Sequence, residues 1–338
     1  MKPMVLCLAP LPADLVRALI MQTPDLPDFE VVLSRGMSRE ELSDAFSRAH
    51  VVMGDYTFQC PISSDLLKKA FILKLIQQPS VGYQHIDVDA CTERRIPVAN
   101  TPGANTASVA EHTLACGLSL LRKLSAANQG MREGRWEQLS LNPAELAGKT
   151  WGLIGFGRIA RAVSLRLKPF APGRVLYFDV LRLSGEEEEE FGAVYSPFHD
   201  LLSLSDIVSL HAPLTEATLH MIGDEELGRM KPGAYLINVA RGELVDESAL
   251  ARALKGGRIA GAAVDVFSRE PVTAENPLLE AAGNNLLLSP HVAGVSTEAA
   301  GRIITMAAGN IARVLKGLDP LYVVNGAGIT PAGERITE

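Results

Sequence analysis

Short apolar runs alternate with amphipathic segments along most of the chain. MVLCLA, FEVVLS, HVVMGD and ILKLIQQ have the length of strands, whereas PADLVRALIMQ and SSDLLKKA place their apolar residues on one side of a helix. This alternation is typical of βαβ units that build a parallel sheet. The first hundred residues therefore predict one doubly wound α/β domain.

The pattern changes near residue 101, where the turn-rich segment NTPGANTAS precedes a long apolar stretch, ASVAEHTLACGLSLLRKL. N-cap candidates at Asn105 and Ser108, followed by Glu111, predict that a long helix begins there. A second βαβ series follows, with strands predicted in KTWGLIGFG, RVLYFDV, DIVSLHAPL, GAYLINVA, RIAGAAVDVF and NLLLSPHV. We predict an α/β protein with two doubly wound parallel-sheet domains, formed by residues 1–101 with 293–338 and by residues 102–292.

Composition narrows the possible partners and locations. The 338 residues are 47% hydrophobic and carry a net charge of −7 without a basic stripe, which argues against nucleic acid and anionic membranes as partners. No apolar run approaches the length of a membrane span, and MKPMVLCLAP is too short for a signal-peptide core. Four scattered cysteines with no metal-like grouping fit a reducing compartment, so we expect a cytoplasmic protein without a metal.

The segment Gly155–Ala160, GFGRIA, fits the GxGxxG/A pattern of dinucleotide-binding turns. Glycines are common in tight turns, but here the pattern follows an apolar strand and opens a helix, as the chemistry requires. Gly155 would permit the tight turn, and Gly157 would let the backbone approach a pyrophosphate at the helix N-terminus. Arg158 could add positive charge.

An acidic residue completes the pattern. Asp179 ends the next predicted strand, 22 residues after Gly157, where a carboxylate would bind the ribose hydroxyls and repel a 2′-phosphate. This favours NAD over NADP. The alternative is NADPH binding with Arg182 on the 2′-phosphate. The nearby GEEEEE run is interpreted as a solvated first helical turn.

Three further polar residues follow predicted strands of the second series. They are Arg241, Glu270 and His291. Arg241 would clamp a substrate carboxylate in bidentate fashion, and His291 would exchange a proton with the substrate oxygen. Glu270 would pair with His291, hold its tautomer and raise its pKa. Each residue alone also fits a structural role. Arg241 could be a surface cation before a helix capped by Asp246, Glu270 could be a solvated loop acid, and His291 could satisfy backbone carbonyls.

Residues 80–300 resemble the D-isomer-specific 2-hydroxyacid dehydrogenase family. The resemblance rests on segments that occur in order: VGYQHID, VANTPGANTASVAEHTL, GLIGFGRIA, HAPLTEAT, MKPGAYLINVARGELVDESAL, GRIAGAAVDVFSREP and LLLSPHVAGVSTEA. It implies two Rossmann-like domains with the active site in the cleft between them, usually in a homodimer, and catalytic roles for Arg241, Glu270 and His291. It also implies that Asp265 hydrogen-bonds the nicotinamide carboxamide, and that His211 and Pro213 line the cofactor.

Further binding positions follow from the same resemblance. Substrate carboxylate would bind at the backbone of Val81 and Gly82. The remaining cofactor-binding positions are Ile159, Ala212, Val239, Ala240 and Gly294. The GDYTFQC segment offers Tyr56 and Phe58 where phosphoglycerate enzymes of the family place cations, so a phosphorylated substrate is disfavoured.

The sequence thus predicts an NAD-dependent oxidoreductase for a small 2-keto acid and its D-2-hydroxy acid. Glyoxylate, hydroxypyruvate, pyruvate and longer acids all remain open. The alternative from another class is a corepressor-like platform that binds NAD(H) without turnover, since the same family contains such proteins.

Overall fold

The structure, a computed structural model, describes residues 2–281 and 285–327. The chain forms two compact units. Unit 1 contains the residues up to Asn105 together with those from Ser296 onward, and unit 2 is Thr106–Val295. Each unit has a parallel sheet of its own, which confirms the prediction of two doubly wound α/β domains.

Unit 1 is built on five short strands. They are β1 (Met4–Cys7), β2 (Glu30–Leu33), β3 (Val51–Met53), β4 (Leu75–Gln77) and β5 (Val98–Ala99). The helices between them are α1 (Ala13–Ile20), α2 (Arg39–Arg48), α3 (Ser64–Leu67) and α4 (Val88–Glu93). The strand order is β2-β1-β3-β4-β5, one of the two common doubly wound orders.

Unit 2 is built on seven strands. They are β6 (Thr150–Ile154), β7 (Arg174–Phe178), β8 (Val194–Tyr195), β9 (Ile207–Leu210), β10 (Tyr235–Asn238), β11 (Gly261–Val264) and β12 (Leu286–Leu288). The helices are α5 (Thr106–Leu121), α6 (Leu124–Arg132), α7 (Arg158–Leu167), α8 (Gly185–Phe191), α9 (Phe198–Leu204), α10 (Asp224–Arg229), α11 (Glu247–Lys255) and α12 (Pro277–Glu280).

The strand order of unit 2 places a switch point between β6 and β9. All seven strands are parallel in the order β12-β11-β10-β9-β6-β7-β8. The chain starts at β6, moves outward through β7 and β8, and then crosses to β9 on the other side. Ligands of open α/β sheets bind outside the carboxyl ends of the strands at such a reversal.

Both faces of the second sheet are covered by apolar side chains, which explains why its strands are continuous apolar runs. One cluster, which includes Trp151 and Tyr177, packs beneath α5 and α7. The other cluster, which includes Leu201 and Leu250, packs on the opposite face. A Cβ at Gly117 in α5 would lie 2.3 Å from the Trp151 ring, so glycine allows this helix to approach the sheet.

Two long helices have defined ends in the structure. The long helix α5 stops at Leu121, because Lys123 adopts a left-handed conformation with φ of 52°, and α6 begins after it. The last helix, α13 (Thr297–Leu315), is capped by the Ser296 side chain and belongs to unit 1, where it contacts α1 and β4. Within the described ranges, no helix combines the length and the apolar character that a membrane crossing requires.

Candidate active site

The carboxyl ends of the strands in unit 2 carry most of the predicted site residues. The residues that follow β6, β7, β9, β10, β11 and β12 include, in that order, Gly155, Asp179, His211, Arg241, Asp265 and His291. Because parallel strands all end at the same edge of a sheet, residues far apart in sequence share one edge.

The turn after β6 has the geometry of a dinucleotide-binding turn. Gly155 has a φ of 82°, and a Cβ there would lie only 2.5 Å from the Ala212 backbone nitrogen, so no other residue fits. The space beside Gly157 is open, and α7 begins at the next residue. The first amides of a helix lack intrahelical acceptors and favour an anion such as a pyrophosphate.

Asp179 holds this turn in place. One carboxylate oxygen accepts a hydrogen bond of 2.6 Å from the Phe156 amide, and the other accepts one of 3.1 Å from the Leu181 amide. A carboxylate offers about four acceptor positions, so Asp179 retains capacity for the hydroxyls of a ribose. The Asp179 side chain therefore stabilises the turn and can also serve as the acceptor that the sequence predicted for the ribose of NAD.

Arg182, the residue considered for the 2′-phosphate of NADPH, contacts other side chains of unit 2. The Arg182 side chain lies 3.4 Å from a Glu188 carboxylate oxygen and 5.2 Å from the centre of the Tyr195 ring. The GEEEEE run forms the start of α8, where Ser184 and Glu187 cap the helix reciprocally. Its acids are more than a solvated turn, because Glu188 also accepts a hydrogen bond from the Tyr177 hydroxyl.

Glu270 and His291 form a close pair. Glu270 Oε2 lies 2.7 Å from His291 Nδ1, and Glu270 Oε1 accepts a bond of 2.9 Å from the Phe267 amide. The two side chains are 35% and 41% exposed, so the pair is accessible from solvent. His291 has a φ of 54°, a strained conformation for a residue with a side chain.

The electrostatics of Glu270 connect it with both predicted cations. Burial alone would raise the pKa of Glu270. The hydrogen bonds from His291 and the Phe267 amide, with the charges of His291 and Arg241, nevertheless hold that pKa below its ordinary value. Arg241, Glu270 and His291 are therefore brought into electrostatic contact, and Glu270 is an anion at neutral pH.

Arg241 stands on a turn that Asn238 organises. The buried Asn238 amide donates to the Arg241 carbonyl and accepts from the Ala240 N–H, while an Arg241 side-chain nitrogen donates to the Ala240 carbonyl at 2.6 Å. At the next position, Gly242, a Cβ would lie 1.9 Å from the Phe267 carbonyl carbon. Glycine there lets the loop that carries Arg241 pack directly against the loop that carries Glu270.

Asp265 is buried and anchors the loop that carries His291. Its side chain is 1% exposed and accepts hydrogen bonds from the Ser289 hydroxyl at 2.5 Å and from the Val292 and Ala293 amides at 2.9 and 2.8 Å. Its backbone carbonyl accepts from the His291 amide at 2.7 Å. Contact with a nicotinamide carboxamide stays a prediction, and the bonds present show a structural task beside it.

Several other predicted cofactor residues lie along the same edge. Ala212 and Val239 are buried, Ile159, Ala240 and Gly294 are half-buried, and Arg158 and Pro213 are exposed. His211 follows β9, and its imidazole Nε2 lies 2.9 Å from the Ser209 hydroxyl. In unit 1, Val81 and Gly82 follow β4, where their carbonyls accept from the Asn100 amide and the Ser80 hydroxyl.

Sequence reasoning missed residues that hold the catalytic candidates in place. Ser289 links Asp265 to His112 of α5, whose Nε2 lies 3.3 Å from the serine hydroxyl. Asn238 and Gly242 shape the Arg241 turn. The available signal was their position in the sequence: Asn238 is the last residue of β10, and Ser289 directly follows β12. A polar side chain at such a position must find a hydrogen-bond partner.

The glycine turn, the helix N-terminus and the acid after β7 define the class of this protein: unit 2 is a dinucleotide-binding domain of the Rossmann type. Residues 114–293 match the model of a family described as "D-isomer specific 2-hydroxyacid dehydrogenase, NAD binding domain".

Similar proteins of known name extend this match beyond unit 2. A glyoxylate reductase of Korarchaeum cryptofilum is 42% identical over 269 residues, which cover 78% of this chain and 80% of that protein. A D-3-phosphoglycerate dehydrogenase of Archaeoglobus fulgidus is 37% identical over 303 residues, 90% of this chain and 56% of that protein. The crystal structure of D-lactate dehydrogenase from Aquifex aeolicus, complexed with NAD and lactic acid, has a TM-score of 0.80 and 30% identity and covers 93% of this chain and 96% of its own.

The chain belongs to the D-isomer specific 2-hydroxyacid dehydrogenase family. It is an NAD-linked oxidoreductase of 2-hydroxy acids, as the sequence predicted, and the alternative of a platform without turnover is not favoured.

Proposed function

We propose that unit 2 binds NAD(H) and contributes Arg241, Glu270 and His291 to the interconversion of a small 2-keto acid and its D-2-hydroxy acid. When bound, NADH supplies the hydride for reduction. Arg241 offers a planar guanidinium that binds the substrate carboxylate with two parallel hydrogen bonds. Unit 1 is proposed to be the substrate-binding domain, with the backbone of Val81 and Gly82 as a further carboxylate contact.

His291 is the proposed acid and base. In reduction, His291 Nε2–H donates its proton to the oxygen of the keto group, and in oxidation the neutral ring accepts the hydroxyl proton. Glu270 bonds to the opposite nitrogen, Nδ1, and so leaves Nε2 for the substrate. The carboxylate orients the ring and determines which nitrogen faces the substrate. The contact of 2.7 Å between Glu270 and His291 is the observation that carries this proposal.

Substitutions at the two cationic positions separate binding from proton transfer. Arg241→Ala should raise the KM for the 2-keto acid by roughly 10²-fold, because a bidentate pair with a carboxylate is lost. His291→Ala should lower kcat by roughly 10²- to 10⁴-fold, the range of general acid–base catalysis. Steady-state kinetics with NADH measures both. Arg48→Ala and His199→Ala, at exposed positions outside the candidate site, are control variants of the same residue types. Unchanged kinetics in both site variants would refute the assignment.

The proposed substrate is small and unphosphorylated. In unit 1 the loop after β3 presents Tyr56 and Phe58, each 39% exposed, and the buried Asp55 carboxylate holds the loop through bonds to Thr57, Gln59 and Cys60. The relatives named glyoxylate reductase support a short acid, whereas the phosphoglycerate dehydrogenase supports a phosphorylated one. Turnover should be compared with glyoxylate, pyruvate, hydroxypyruvate and phosphohydroxypyruvate, and in the reverse direction with both enantiomers of each chiral product. A preference for the phosphorylated acid would contradict the proposal.

We further infer that the protein is a homodimer. Residues 124–139 of unit 2, which comprise α6 and the segment after it, expose four large apolar side chains: Leu124, Met131, Trp136 and Leu139, which are 53%, 57%, 77% and 91% exposed. A cluster of this kind is typical of a surface that another chain covers. Sedimentation velocity should give the mass of a dimer, and the double variant Trp136→Ala/Leu139→Asp should give that of a monomer. A monomeric wild-type protein would refute the inference.

A cytoplasmic location is proposed from the thiols. Cys7, Cys60, Cys91 and Cys116 are all free, and burial raises the pKa of each. Such protonated thiols, of which Cys7 and Cys91 are buried and Cys60 and Cys116 half-buried, are stable in a reducing compartment. Fractionation of the native source with an antibody would test the location.

A further inference from the structure

Two buried side chains, Trp151 and Ser209, and the half-buried His211 form a hydrogen-bonded chain at the switch point of the second sheet. Trp151 Nε1 donates to Ser209 Oγ at 2.9 Å, and the same Oγ lies 2.9 Å from His211 Nε2. Trp151 and Ser209 are completely buried. They share one face of the sheet because Trp151 on β6 pairs with Ile207 on β9, and residues two apart along a strand point to the same side.

The chain of donors determines which nitrogen of His211 carries the proton. An indole N–H can only donate, so Ser209 Oγ accepts from Trp151. Within the described residues, Ser209 Oγ has no partner besides Trp151 and His211, so His211 Nε2 is the one acceptor there for the hydroxyl proton, and we infer that it accepts this proton. A neutral imidazole that accepts at Nε2 carries its proton on Nδ1.

His211 Nδ1 is a buried donor without an acceptor among the described residues. The residue as a whole is half-buried, yet this atom is shielded from solvent. Burial lowers the pKa of His211 to about 3, so the ring stays neutral at working pH and its Nδ1–H persists. A shielded donor left unpaired costs free energy, and such a group in a native structure is expected to meet a water or a ligand.

The position of His211 favours the dinucleotide as that ligand. His211 directly follows β9, and the Cβ position of Gly155 is 2.7 Å from the His211 carbonyl carbon. The histidine is thus adjacent to the turn that fits a pyrophosphate, and it lies between β6 and the Arg241 strand β10 in the sheet order. The oxygens expected over this stretch of the edge belong to the pyrophosphate and the adjoining ribose.

We propose that His211 Nδ1–H donates a hydrogen bond to an oxygen of bound NAD(H), and that Trp151 and Ser209 are positioning residues that fix the required tautomer. The inference rests on NAD binding by unit 2 and assigns the donor atom and its support. A neutral donor at this position orients the bound dinucleotide through a directional hydrogen bond and adds no charge to the site.

Three substitutions at His211 test the donor atom. The amide nitrogen of asparagine occupies nearly the position of Nδ1, whereas that of glutamine reaches the position of Nε2. NADH titrations of the whole protein without keto acid, followed by nicotinamide fluorescence and calorimetry, should show roughly tenfold weaker binding for His211→Leu and His211→Gln, the effect of one hydrogen bond. His211→Asn should bind within about threefold of wild type. The thermal unfolding temperatures of His211→Asn and His211→Leu should also be compared, because similar temperatures would show that weaker binding is not caused by loss of the fold.

The tautomer is measured independently of binding. Nitrogen-15 NMR of histidine-labelled protein, with His211→Asn used to assign the signal, should show a neutral ring protonated at Nδ1 in the wild type. Trp151→Phe should introduce the Nε2–H tautomer, because Ser209 can then accept from the ring, and should weaken NADH binding about two- to threefold.

Two results would overturn the inference. One is an Nε2–H tautomer in the wild type. The other is unaltered NADH affinity in His211→Leu and His211→Gln, which would assign the Nδ1 proton to an internal water. Failure of the wild-type protein to bind NADH is a different outcome, since it would overturn the cofactor assignment on which the proposed function also depends.

Discussion

The Glu270 carboxylate lies beside His291 and within electrostatic reach of Arg241, and its lowered pKa is the consequence of that position. A lowered carboxyl pKa means that the ionised group stabilises the folded state above its ordinary pKa. This contribution is lost as pH falls through the lower, folded-state value. At neutral and mildly acidic pH, Glu270 is therefore an anion.

Glu270→Gln should change the pH profile of the reaction. Glutamine keeps an acceptor oxygen for the imidazole but removes the negative charge. The ionised Glu270 carboxylate orients the ring and balances its charge, so kcat/KM of the wild type should fall as pH falls through the lowered pKa of Glu270. Glu270→Gln should be slower at neutral pH and should lack this acidic limb, because its amide does not titrate.

The control for this prediction is Glu275→Gln. Glu275 also has a lowered pKa, through a hydrogen bond from Thr273, and the cause involves neither His291 nor Arg241. Its profile should match the wild type. Coincident profiles for Glu270→Gln and the wild type would show that the ionised carboxylate does not contribute to the reaction.

Single residues were predictable where a chemical pattern marked them. Arg241, Glu270 and His291 each follow a strand, and their types suggested one chemistry before any contact was known. The partners that fix their geometry were not predictable. Ser289 and Asn238 are common polar residues, and their bonds to Asp265 and to the Arg241 turn depend on a close approach of loops that no spacing reveals.

At the scale of elements, Gly242 allows the loop after β10 to pack on the loop after β11. A Cβ at this position would lie 1.9 Å from the Phe267 carbonyl carbon and 2.3 Å from the Ser268 nitrogen, both backbone atoms that cannot rotate away. Gly242→Ala should therefore displace the loop that carries Glu270. We expect about 1–3 kcal/mol of destabilisation and a fall in kcat/KM of roughly tenfold or more.

Gly301→Ala is the matched substitution. Gly301 lies inside α13, and apart from its chain neighbours and the backbone of its own helix no atom lies within 4 Å of its Cβ position. Alanine there should stabilise the protein by about 0.5–1 kcal/mol and leave the kinetics unchanged. Urea unfolding and steady-state rates measure both variants. Wild-type kinetics and stability in Gly242→Ala would mean that the two loops can separate without cost.

Elements were predictable in proportion to the length and regularity of their pattern. The strands β6, β7, β9 and β10 lie inside the predicted runs, because strands buried on both faces are continuously apolar. The two-residue strands β5 and β8 are too short to show any period. The end of α5 was set by the left-handed conformation of Lys123, which lysine does not signal in sequence.

At the scale of the whole molecule, each unit has its own sheet and its own apolar clusters on both faces. Both tryptophans of the chain, Trp136 and Trp151, belong to unit 2. Trp151 is completely buried, so its fluorescence reports the unfolding of the unit that carries the dinucleotide-binding turn. The unfolding of unit 2 can therefore be followed by tryptophan fluorescence.

The preference for NADH over NADPH should be measurable as a difference in how much each cofactor stabilises unit 2. A ligand at one hundred times its Kd stabilises the state that binds it by about 2.7 kcal/mol, which for a domain of this size raises Tm by roughly 5–10 °C. NADH should produce this shift in scanning calorimetry, with the transition of unit 2 identified by tryptophan fluorescence without ligand. NADPH at the same concentration should produce much less, because Asp179 would face its 2′-phosphate.

Asp179→Asn tests the cause of that difference. Asparagine keeps an acceptor oxygen for the Phe156 amide, so the glycine turn can persist while the repulsive charge is removed. The shift with NADPH should rise and the shift with NADH should fall until the two are similar. Glu189→Gln removes the same charge from the exposed side of α8 and should leave the preference for NADH intact, which separates a contact at Asp179 from a general effect of net charge. A larger shift with NADPH in the wild-type protein would show that Asp179 does not select the cofactor.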